Sequence, residues 1–179
     1  MMIEKAIKKN IVYYGVGVDF FCDEVKLPNN TIVKREYINH PGAAATLPFV
    51  DKDNIILVKQ YRYPLNQVTY EIPAGKINKG ETPFECVSRE LEEETGYRAK
   101  KLEKLISFYP TTAFSNEIIY TFVAFGLEVG RQNADEDEFV SSEIVNFKKA
   151  IKMVKTGKIV DSKTIIALIY FENILNIKI

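Results

Sequence analysis

The order of the predicted elements along the chain indicates an α+β fold. Runs rich in Val, Ile, Tyr and Phe occupy residues 11 to 38 and 42 to 72, before any helical pattern appears. The first apolar pattern with helical spacing covers residues 82 to 95, and further strand and helix patterns follow it. Successive strands ahead of the first helix favour a mixed or antiparallel sheet over alternating βα units.

The N-terminal part predicts a strand meander and then a second group of strands. Residues 11 to 38 contain two or three β-rich runs with a turn at residues 28 to 30, Pro-Asn-Asn, which are residue types that favour turns. Further runs lie between residues 42 and 72, interrupted by a turn at residues 51 to 54. We therefore expect a small antiparallel β-domain at the N-terminus, followed by strands of the main sheet.

The first helix has sequence signals at both ends. Thr82 is the expected N-cap, Pro83 suits the first helical position, and Glu85 completes a capping box. Gly96 is the expected C-cap. The remaining elements are predicted as strands at 105 to 109, 117 to 127 and 139 to 146, and as helices at 146 to 159 and 161 to 175.

Composition and charge exclude several classes of function. The 179 residues are 46% apolar, which suffices for one ordinary core, and 24 basic side chains balance 24 acidic ones. No overall field therefore draws the protein to nucleic acid or to an anionic membrane. The N-terminus lacks a signal-peptide pattern and the late apolar run 165 to 171 is too short to cross a bilayer, so we expect a soluble cytoplasmic protein.

Cysteine and histidine usage narrows the chemistry further. Cys22 and Cys86 belong to no CxxC or Cys/His cluster, so we expect both to be packing residues rather than zinc ligands. His40 is the only histidine. One chain therefore cannot build a site that needs several histidines, and a His-based triad is not expected.

Residues 75 to 82, GKINKGET, match a phosphate-binding P-loop at every specified position except that of its lysine. Glu81 replaces the lysine, and its carboxylate repels the phosphates that such a loop binds. In the following helix Glu90, Glu93 and Glu94 share one stripe without a lysine, and like charges at these spacings cost about 0.2 to 0.5 kcal/mol per pair. Two interpretations stay open at this point: a solvated acidic face, or a site for Mg²⁺, which prefers oxygen ligands.

The spacing of the whole segment resembles a family signature. Gly75, Glu81 and residues 89 to 97, RELEEETGY, fill every fixed position of the Nudix box, G-x5-E-x7-R-E-U-x-E-E-x-G-U, where U is apolar or aromatic. Seven matches at fixed spacing arise by chance about once in 10⁸ placements. The resemblance implies a Nudix-type α/β/α sandwich with a mixed β-sheet, and a box that holds Mg²⁺, with Mn²⁺ as an alternative.

The resemblance also implies roles for the box residues. Glu90 and Glu94 are the implied principal metal ligands, and the backbone carbonyl of Ala74 is a further one. Glu93 is implied as another ligand or as a catalytic group that binds water. Two residues are implied to support these ligands, by ion pairing with the glutamates and by steadying the loop: Arg89 and Glu81.

A wider resemblance, over roughly residues 30 to 170, is to the ADP-ribose pyrophosphatase branch of this family. It rests on segments such as ILVKQYRYPL, YEIPAGKI and GKIVDSKTIIAL. It implies that metal-activated water hydrolyses ADP-ribose to AMP and ribose 5-phosphate. It also implies a homodimer in which an N-terminal β meander, residues 1 to 40, exchanges between subunits, while residues 41 to 179 form the Nudix hydrolase domain.

The branch resemblance implies further site residues outside the box. Four are expected to bind the substrate: Arg62, Glu71, Phe114 and Glu117. Arg62 suits a phosphate because a guanidinium binds it through two nitrogens, and Glu71 and Glu117 suit ribose hydroxyls. The residue that activates water is expected in the acidic run after the box, where Glu136 and Glu138 are equal candidates.

One loop departs from the branch pattern and leaves the substrate open. Members of the branch commonly carry Ser/Thr-Pro-Gly-Phe where this chain has Thr-Thr-Ala-Phe at residues 111 to 114. Alanine does not share the tolerance of glycine for positive φ, so the loop has a different backbone preference. GDP-mannose and ADP-glucose are therefore alternatives to ADP-ribose. A non-catalytic module that senses ADP-ribose and regulates a partner is a third interpretation, against which the intact box glutamates weigh.

Overall fold

The computed structural model describes residues 2–131 and 139–175 and divides into two compact units. The first unit comprises the described residues of Met1–Gly42 together with Tyr109–Ile118. The second comprises those of Ala43–Phe108 and Ile119–Ile179. The loop at 110 to 114 thus groups with the N-terminal strands, although in the chain it falls between two strands of the second unit.

The first unit contains an antiparallel sheet, as the sequence predicts, but with four strands instead of two or three, because a strand before residue 11 joins it. Its strands are β1 (Lys5–Lys8), β2 (Ile11–Tyr14), β3 (Asp19–Lys26) and β4 (Ile32–Asn39). β4 pairs with β3 along its whole length, and β1 and β2 share the other edge of β3 in succession. Asn30 has a φ of 69° in the β3–β4 connection, where the sequence predicts a turn.

The second unit contains two sheets, of which one is mixed. Its strands are β5 (Ala43–Pro48), β6 (Asn54–Arg62), β7 (Gln67–Glu71), β8 (Ala74–Lys76), β9 (Tyr97–Phe108), β10 (Ile119–Val129) and β11 (Val140–Asn146). They are ordered β8-β5-β10-β9 in one sheet and β11-β6-β7 in the other. β10 runs parallel to β5, and the other pairs are antiparallel. The predicted mixed sheet is therefore confirmed.

Helices cover both faces of the mixed sheet. They are α1 (Pro83–Thr95), α2 (Phe147–Lys155) and α3 (Ser162–Tyr170), and a π-helical turn (Phe171–Leu175) follows α3. Since side chains alternate along a strand, Ala44 of β5 packs with Cys86 and Val87 of α1, while Ala45 and Leu47 join the cluster that includes α2 and α3. This layering confirms the predicted α/β/α sandwich. No helix in the described ranges combines the length and apolarity needed to cross a membrane.

Helix α1 begins and ends where the sequence predicts. The Thr82 side chain accepts a hydrogen bond from the backbone of Glu85, whose carboxylate accepts one from the backbone of Thr82. This reciprocal pair is the predicted capping box, and Pro83 occupies the first helical position. Gly96 terminates the helix with a φ of 75°, a conformation that glycine adopts without steric cost. The helix that carries the box glutamates is therefore fixed at both ends by local sequence.

Strand β9 begins eight residues earlier than the sequence predicts. The expected strand covered residues 105 to 109, whereas β9 starts at Tyr97, directly after the C-cap of α1. The early half is polar and largely exposed, with Lys100 and Lys101 among its residues, so its apolar alternation is weak. Pairing with β10 through Val129 nevertheless completes the strand, because the ladder with a neighbour outweighs local composition.

Candidate active site

The glycine-rich loop before α1 is closed by its own glutamate. The Glu81 carboxylate accepts a hydrogen bond from the backbone N–H of Asn78 at 2.8 Å, and the Glu81 N–H donates to the Asn78 carbonyl at 3.0 Å. Gly80 provides the turn with a φ of 85°. The same carboxylate accepts hydrogen bonds from the Arg89 guanidinium, which lower its pKa. Glu81 thus keeps the loop in place and leaves no P-loop-like phosphate cradle.

Arg89 supplies positive charge to the glutamate stripe. Its Nε donates to Glu81 at 2.9 Å, and its Nη1 donates to Glu90 at 2.6 Å and to Glu93 at 2.8 Å. Its Nη2 contacts the carbonyl of Lys76 at 3.3 Å. These bonds, led by the one to Glu81, raise the pKa of Arg89. One guanidinium therefore offsets part of the repulsion that the sequence predicts among the carboxylates.

The backbone of β8 lies directly against two of the box glutamates. Glu90 and Glu94 are buried, and the N–H of Ala74 donates to Glu94 Oε2 at 3.0 Å. A Cβ added to Gly75 would stand 1.8 Å from Glu90 Oε1. A side chain at position 75 would therefore displace the Glu90 carboxylate from its place against β8.

A hard divalent cation fits the chemistry of this donor set. Glu94 offers a carboxylate next to the Ala74 backbone, Glu90 and Glu93 offer theirs beside Arg89 on the same helix, and Mg²⁺ takes oxygen ligands. Within the described residues, no three acidic, cysteine or histidine side chains form a ready-made metal cluster. Arg89 Nη1 instead bonds both Glu90 and Glu93, so a cation that binds these carboxylates competes with the guanidinium.

An open cleft of about 480 Å³ lies along the C-terminal half of α1. Three arginines and two glutamates line it: Arg89, Glu92, Glu93, Arg98 and Arg131. Glu92 accepts hydrogen bonds from Arg98 Nε at 2.7 Å and from the backbone N–H of Arg131 at 3.2 Å. Two of the three guanidinium groups already pair with glutamates of this wall, Arg89 with Glu93 and Arg98 with Glu92.

A second charged cluster is built around Glu71 at the end of β7. Its side chain is almost fully buried, and Arg62 of β6 binds it through Nε at 2.7 Å and Nη2 at 2.6 Å. The Thr69 hydroxyl donates to Oε1 at 2.5 Å, and Lys163 Nζ of α3 donates to Oε2. Burial alone raises the pKa of Glu71, but the hydrogen bond from Arg62, the charge and hydrogen bond of Lys163 and the Thr69 hydroxyl lower it to about 2.

This cluster lies close enough to the box helix for their charges to interact. The pKa of Arg62 is raised, first by its hydrogen bond to Glu71 and further by the charges of Glu71, Asp161 and Glu94. Asp161 caps α3 and pairs with Lys163 at 3.1 Å. Arg62 is thus a guanidinium held on β6 within electrostatic reach of Glu94.

The other two predicted substrate residues, Phe114 and Glu117, belong to the first unit. Glu117 lies 3.9 Å from His40 Nδ1, which accepts a hydrogen bond from the Gly42 N–H at 3.0 Å. Phe114 has an exposed side chain, and its carbonyl accepts a hydrogen bond from the Ile38 N–H. Two predicted candidates for water activation lie outside the described residues: Glu136 and Glu138.

Comparison with known proteins identifies the family. The model of the NUDIX domain matches residues 39–168, which is well over half of the chain. The chain belongs to the Nudix family. It is 44% identical to the ADP-ribose pyrophosphatase of Bacillus subtilis (strain 168) over 171 residues, which cover 94% of this chain and 92% of that protein.

Two further comparisons bear on fold and function. The chain is 44% identical over 172 residues to a protein named methanol dehydrogenase activator from Bacillus methanolicus, with 94% of this chain and 92% of that one covered. A solved structure described as an ADP compounds hydrolase superposes with a TM-score of 0.86 over 96% of this chain and 94% of that one. At 19% identity this structural likeness supports the fold alone.

Sequence reasoning about the Nudix box missed three charged residues of the site. Arg98 and Arg131 line the cleft beside Glu93, and Lys163 reaches the buried Glu71. Lys163 carried a usable signal, since it is a lysine in the first turn of a helix that is otherwise largely apolar. Arg98 and Arg131 lie far apart in the sequence, and only the turn after α1 and the pairing of β9 with β10 bring them together.

Proposed function

We propose that this Nudix protein hydrolyses the pyrophosphate bond of ADP-ribose to AMP and ribose 5-phosphate and that it depends on Mg²⁺. One observation carries the proposal: in a complete box Arg89 bonds Glu90 and Glu93, and Glu94 of the same helix accepts a hydrogen bond from the Ala74 N–H. The similarity to a named ADP-ribose pyrophosphatase over nearly the whole of both chains supports this substrate.

In this proposal the box holds the cation and the arginine controls its ligands. Glu90 and Glu94 bind Mg²⁺ together with the Ala74 carbonyl, and Glu93 binds it or a water beside it. When bound, the cation supplies a Lewis acid for the pyrophosphate and lowers the pKa of a bound water. Mn²⁺ is an alternative with the same ligand preference. Arg89 holds the carboxylates of Glu90 and Glu93 in place until the cation competes for them.

Residues outside the box bind and orient the substrate in the same proposal. Arg62 binds the pyrophosphate, and Glu117 and Phe114 contribute to the sugar and nucleoside subsites. Glu136 or Glu138 accepts the proton of the attacking water. The four acceptor positions of Glu71 are used by Arg62, Thr69 and Lys163, so Glu71 serves Arg62 rather than a ribose hydroxyl.

Two alternatives have specific support. The Thr-Thr-Ala-Phe sequence at 111 to 114 keeps GDP-mannose and ADP-glucose open as substrates, because it changes the backbone preference of that loop. The relative named methanol dehydrogenase activator is as similar as the named pyrophosphatase, which supports a role in regulating a dehydrogenase. The intact box glutamates favour hydrolysis over sensing without catalysis.

We further propose a cytoplasmic homodimer in which the N-terminal sheet, residues 1 to 40, exchanges between subunits. The apolar surface of this sheet supports the proposal, since Tyr13, Tyr14 and Val16 are 65%, 74% and 107% exposed. Tyr13 and Tyr14 are neighbours in β2 and point to opposite faces of the sheet, so each face exposes a large apolar side chain that a second subunit can cover. Light scattering of the purified protein gives the mass, and deletion of residues 1 to 40 is expected to leave a monomer.

Product analysis across a substrate panel tests the proposed reaction. The protein is incubated with ADP-ribose, GDP-mannose or ADP-glucose, with and without Mg²⁺, beside Glu94→Gln. Magnesium-dependent AMP and ribose 5-phosphate, lost in the variant, are expected. Glu128→Gln, which removes an exposed carboxylate paired with Lys100, is the matched control and retains activity. If only GDP-mannose or ADP-glucose is cleaved, ADP-ribose is not the substrate. If none of the three is cleaved, the proposed reaction is wrong.

A further inference from the structure

The Arg62 guanidinium is held by one edge only. Its Nε and Nη2 bind Glu71, whereas its Nη1 makes no hydrogen bond to any residue that the structure describes. The Arg62 side chain is 40% exposed, against 3% for Glu71 and 11% for Lys163. The cluster is therefore buried on the Glu71 side and open on the Arg62 side, where an outside anion can reach the remaining N–H groups.

Glu71 has no remaining capacity to bind a ligand. Each of its oxygens accepts two hydrogen bonds: Oε1 from Arg62 Nε and Thr69 Oγ1, and Oε2 from Arg62 Nη2 and Lys163 Nζ. A buried carboxylate with every acceptor position used is fixed in orientation. The plane of the Arg62 guanidinium, bound bidentately to it, is fixed in turn.

Three elements of the fold meet at this carboxylate. Arg62 ends β6, Thr69 and Glu71 lie on β7, and Lys163 lies in the first turn of α3. The Thr164 hydroxyl, which accepts a hydrogen bond from the Ile72 N–H at 2.8 Å, ties the same turn of α3 to the residue after β7. The backbone that carries Lys163 is therefore tied to the end of β7.

Charge balance explains why the cluster needs its lysine. Arg62 and Lys163 face Glu71 and Asp161, so the four groups sum to zero. Without Lys163 the cluster carries one net negative charge, and Arg62 is then drawn to neutralise both carboxylates. With Lys163 present, the guanidinium of Arg62 remains available to an incoming anion at its open edge.

We propose that Lys163 and Thr69 are positioning residues which lock Glu71 and thereby present the open edge of Arg62 to the pyrophosphate of the substrate. This inference rests on the proposed function, because the pyrophosphate is that of the proposed substrate. Neither residue touches the substrate in this account. Their effect on binding passes through Arg62.

Two pairs of substitutions test the inference. Thr69→Val removes the hydroxyl and keeps the shape of the side chain, whereas Thr69→Ser keeps the hydroxyl. Lys163→Met removes the ammonium and keeps the length. We expect Thr69→Val and Lys163→Met to raise KM for ADP-ribose about tenfold, the equivalent of one lost hydrogen bond in a polar site, with kcat changed much less. Thr69→Ser is expected to restore the wild-type KM.

A double-mutant cycle distinguishes positioning from a structural role. Because Lys163 acts through Arg62, the Arg62→Ala/Lys163→Met protein is expected to have the KM of Arg62→Ala alone. Additive effects on KM, or an unchanged KM with a lowered melting temperature in Thr69→Val and Lys163→Met, overturn the inference. If Thr69 has a purely structural role, Thr69→Val lowers stability without raising KM.

Binding without metal separates this inference from the proposed function. Calorimetry in EDTA, with inorganic pyrophosphate as the probe, reports on Arg62 whether or not ADP-ribose is a substrate. We expect Arg62→Ala, Thr69→Val and Lys163→Met to weaken pyrophosphate binding by a similar factor. If the wild type does not cleave ADP-ribose but these losses appear, the proposed function fails and the positioning stands. Equal pyrophosphate affinity in wild type and Lys163→Met overturns the positioning.

Discussion

The box helix and the Glu71 cluster both combine carboxylates with arginine, but they differ in net charge. Around Arg89, the carboxylates of Glu81, Glu90 and Glu93 share one guanidinium, and Glu94 lies on the same stripe. These groups carry three more negative than positive charges. Around Glu71, two cations and two carboxylates balance, and every acceptor position of the buried carboxylate is used.

This difference separates a group of carboxylates that still attracts a cation from one whose charges are already balanced. An excess of carboxylate oxygens around one arginine attracts a divalent cation, since a cation relieves the repulsion that the arginine only partly offsets. A balanced, saturated cluster gains nothing from a cation and instead fixes the elements that meet there. Glutamate beside arginine therefore attracts a cation in the box and orients Arg62 in the Glu71 cluster. The number of cationic partners available to each carboxylate makes the difference.

Replacing one glutamate of the box with glutamine is the strongest test of this contrast. Glu90→Gln is expected to lower kcat/KM by at least about 10³-fold, because it removes a proposed metal ligand. Its free energy of unfolding should change by less than about 1 kcal/mol, since the loss of an ion pair to Arg89 is offset by relief of like-charge repulsion. Kinetics and urea denaturation measure the two effects. A variant that unfolds easily and keeps its activity would contradict the contrast.

The same substitution at Glu71 is expected to act on stability. A carboxyl whose pKa lies at about 2 in the folded protein, against 4.5 as its ordinary value, stabilises the fold by about 3 kcal/mol at neutral pH. Because the folded pKa is the lower one, this contribution is complete above about pH 4.5 and is lost as the pH falls towards 2. Glu71→Gln should therefore unfold more readily than wild type at pH 7.

The pH dependence supplies the control for this second prediction. The difference in unfolding free energy between wild type and Glu71→Gln is expected to shrink as the pH is lowered from 4.5 to 2, because the wild-type carboxyl becomes protonated as well. Urea titrations at several pH values measure it. A difference that is constant over this range shows that the carboxylate charge is not what stabilises the cluster.

Substitution of a box glycine tests how closely the ligands are held. Gly75→Ala places a methyl group 1.8 Å from Glu90 Oε1, and the end of that flexible side chain has to move. We expect Mg²⁺ affinity to fall about 10- to 100-fold while the fold is retained. Gly157→Ala is the control, because Gly157 has a φ of 72° but open space around it. This substitution is expected to cost about 1 kcal/mol of stability and to leave Mg²⁺ affinity unchanged. Equal Mg²⁺ affinity in Gly75→Ala and wild type refutes the close packing.

The sequence predicts the box helix well because its signals are local. Thr82, Pro83, Glu85 and Gly96 determine where α1 begins and ends through contacts within a few residues, and the spacing of the box then places its glutamates on one face. The Glu71 cluster could not be predicted in this way. Its members come from β6, β7 and α3, and Lys163 lies 92 positions from the carboxylate that it binds. Only the packing of these elements shows that Arg62 and Glu71 bind each other.

The smallest effect is expected at the cap of α1, where local sequence alone determines the structure. Thr82→Ala removes the side-chain half of the capping box and should cost about 1 kcal/mol of stability. The glutamates lie two to three turns farther along the helix and are held by Arg89 and β8, so kcat/KM is expected to remain within about twofold of wild type. Thr82→Ser, which keeps the hydroxyl, should retain stability. If Thr82→Ala loses much more than twofold in kcat/KM while it remains folded in the assay, the cap also positions the ligands, together with Arg89.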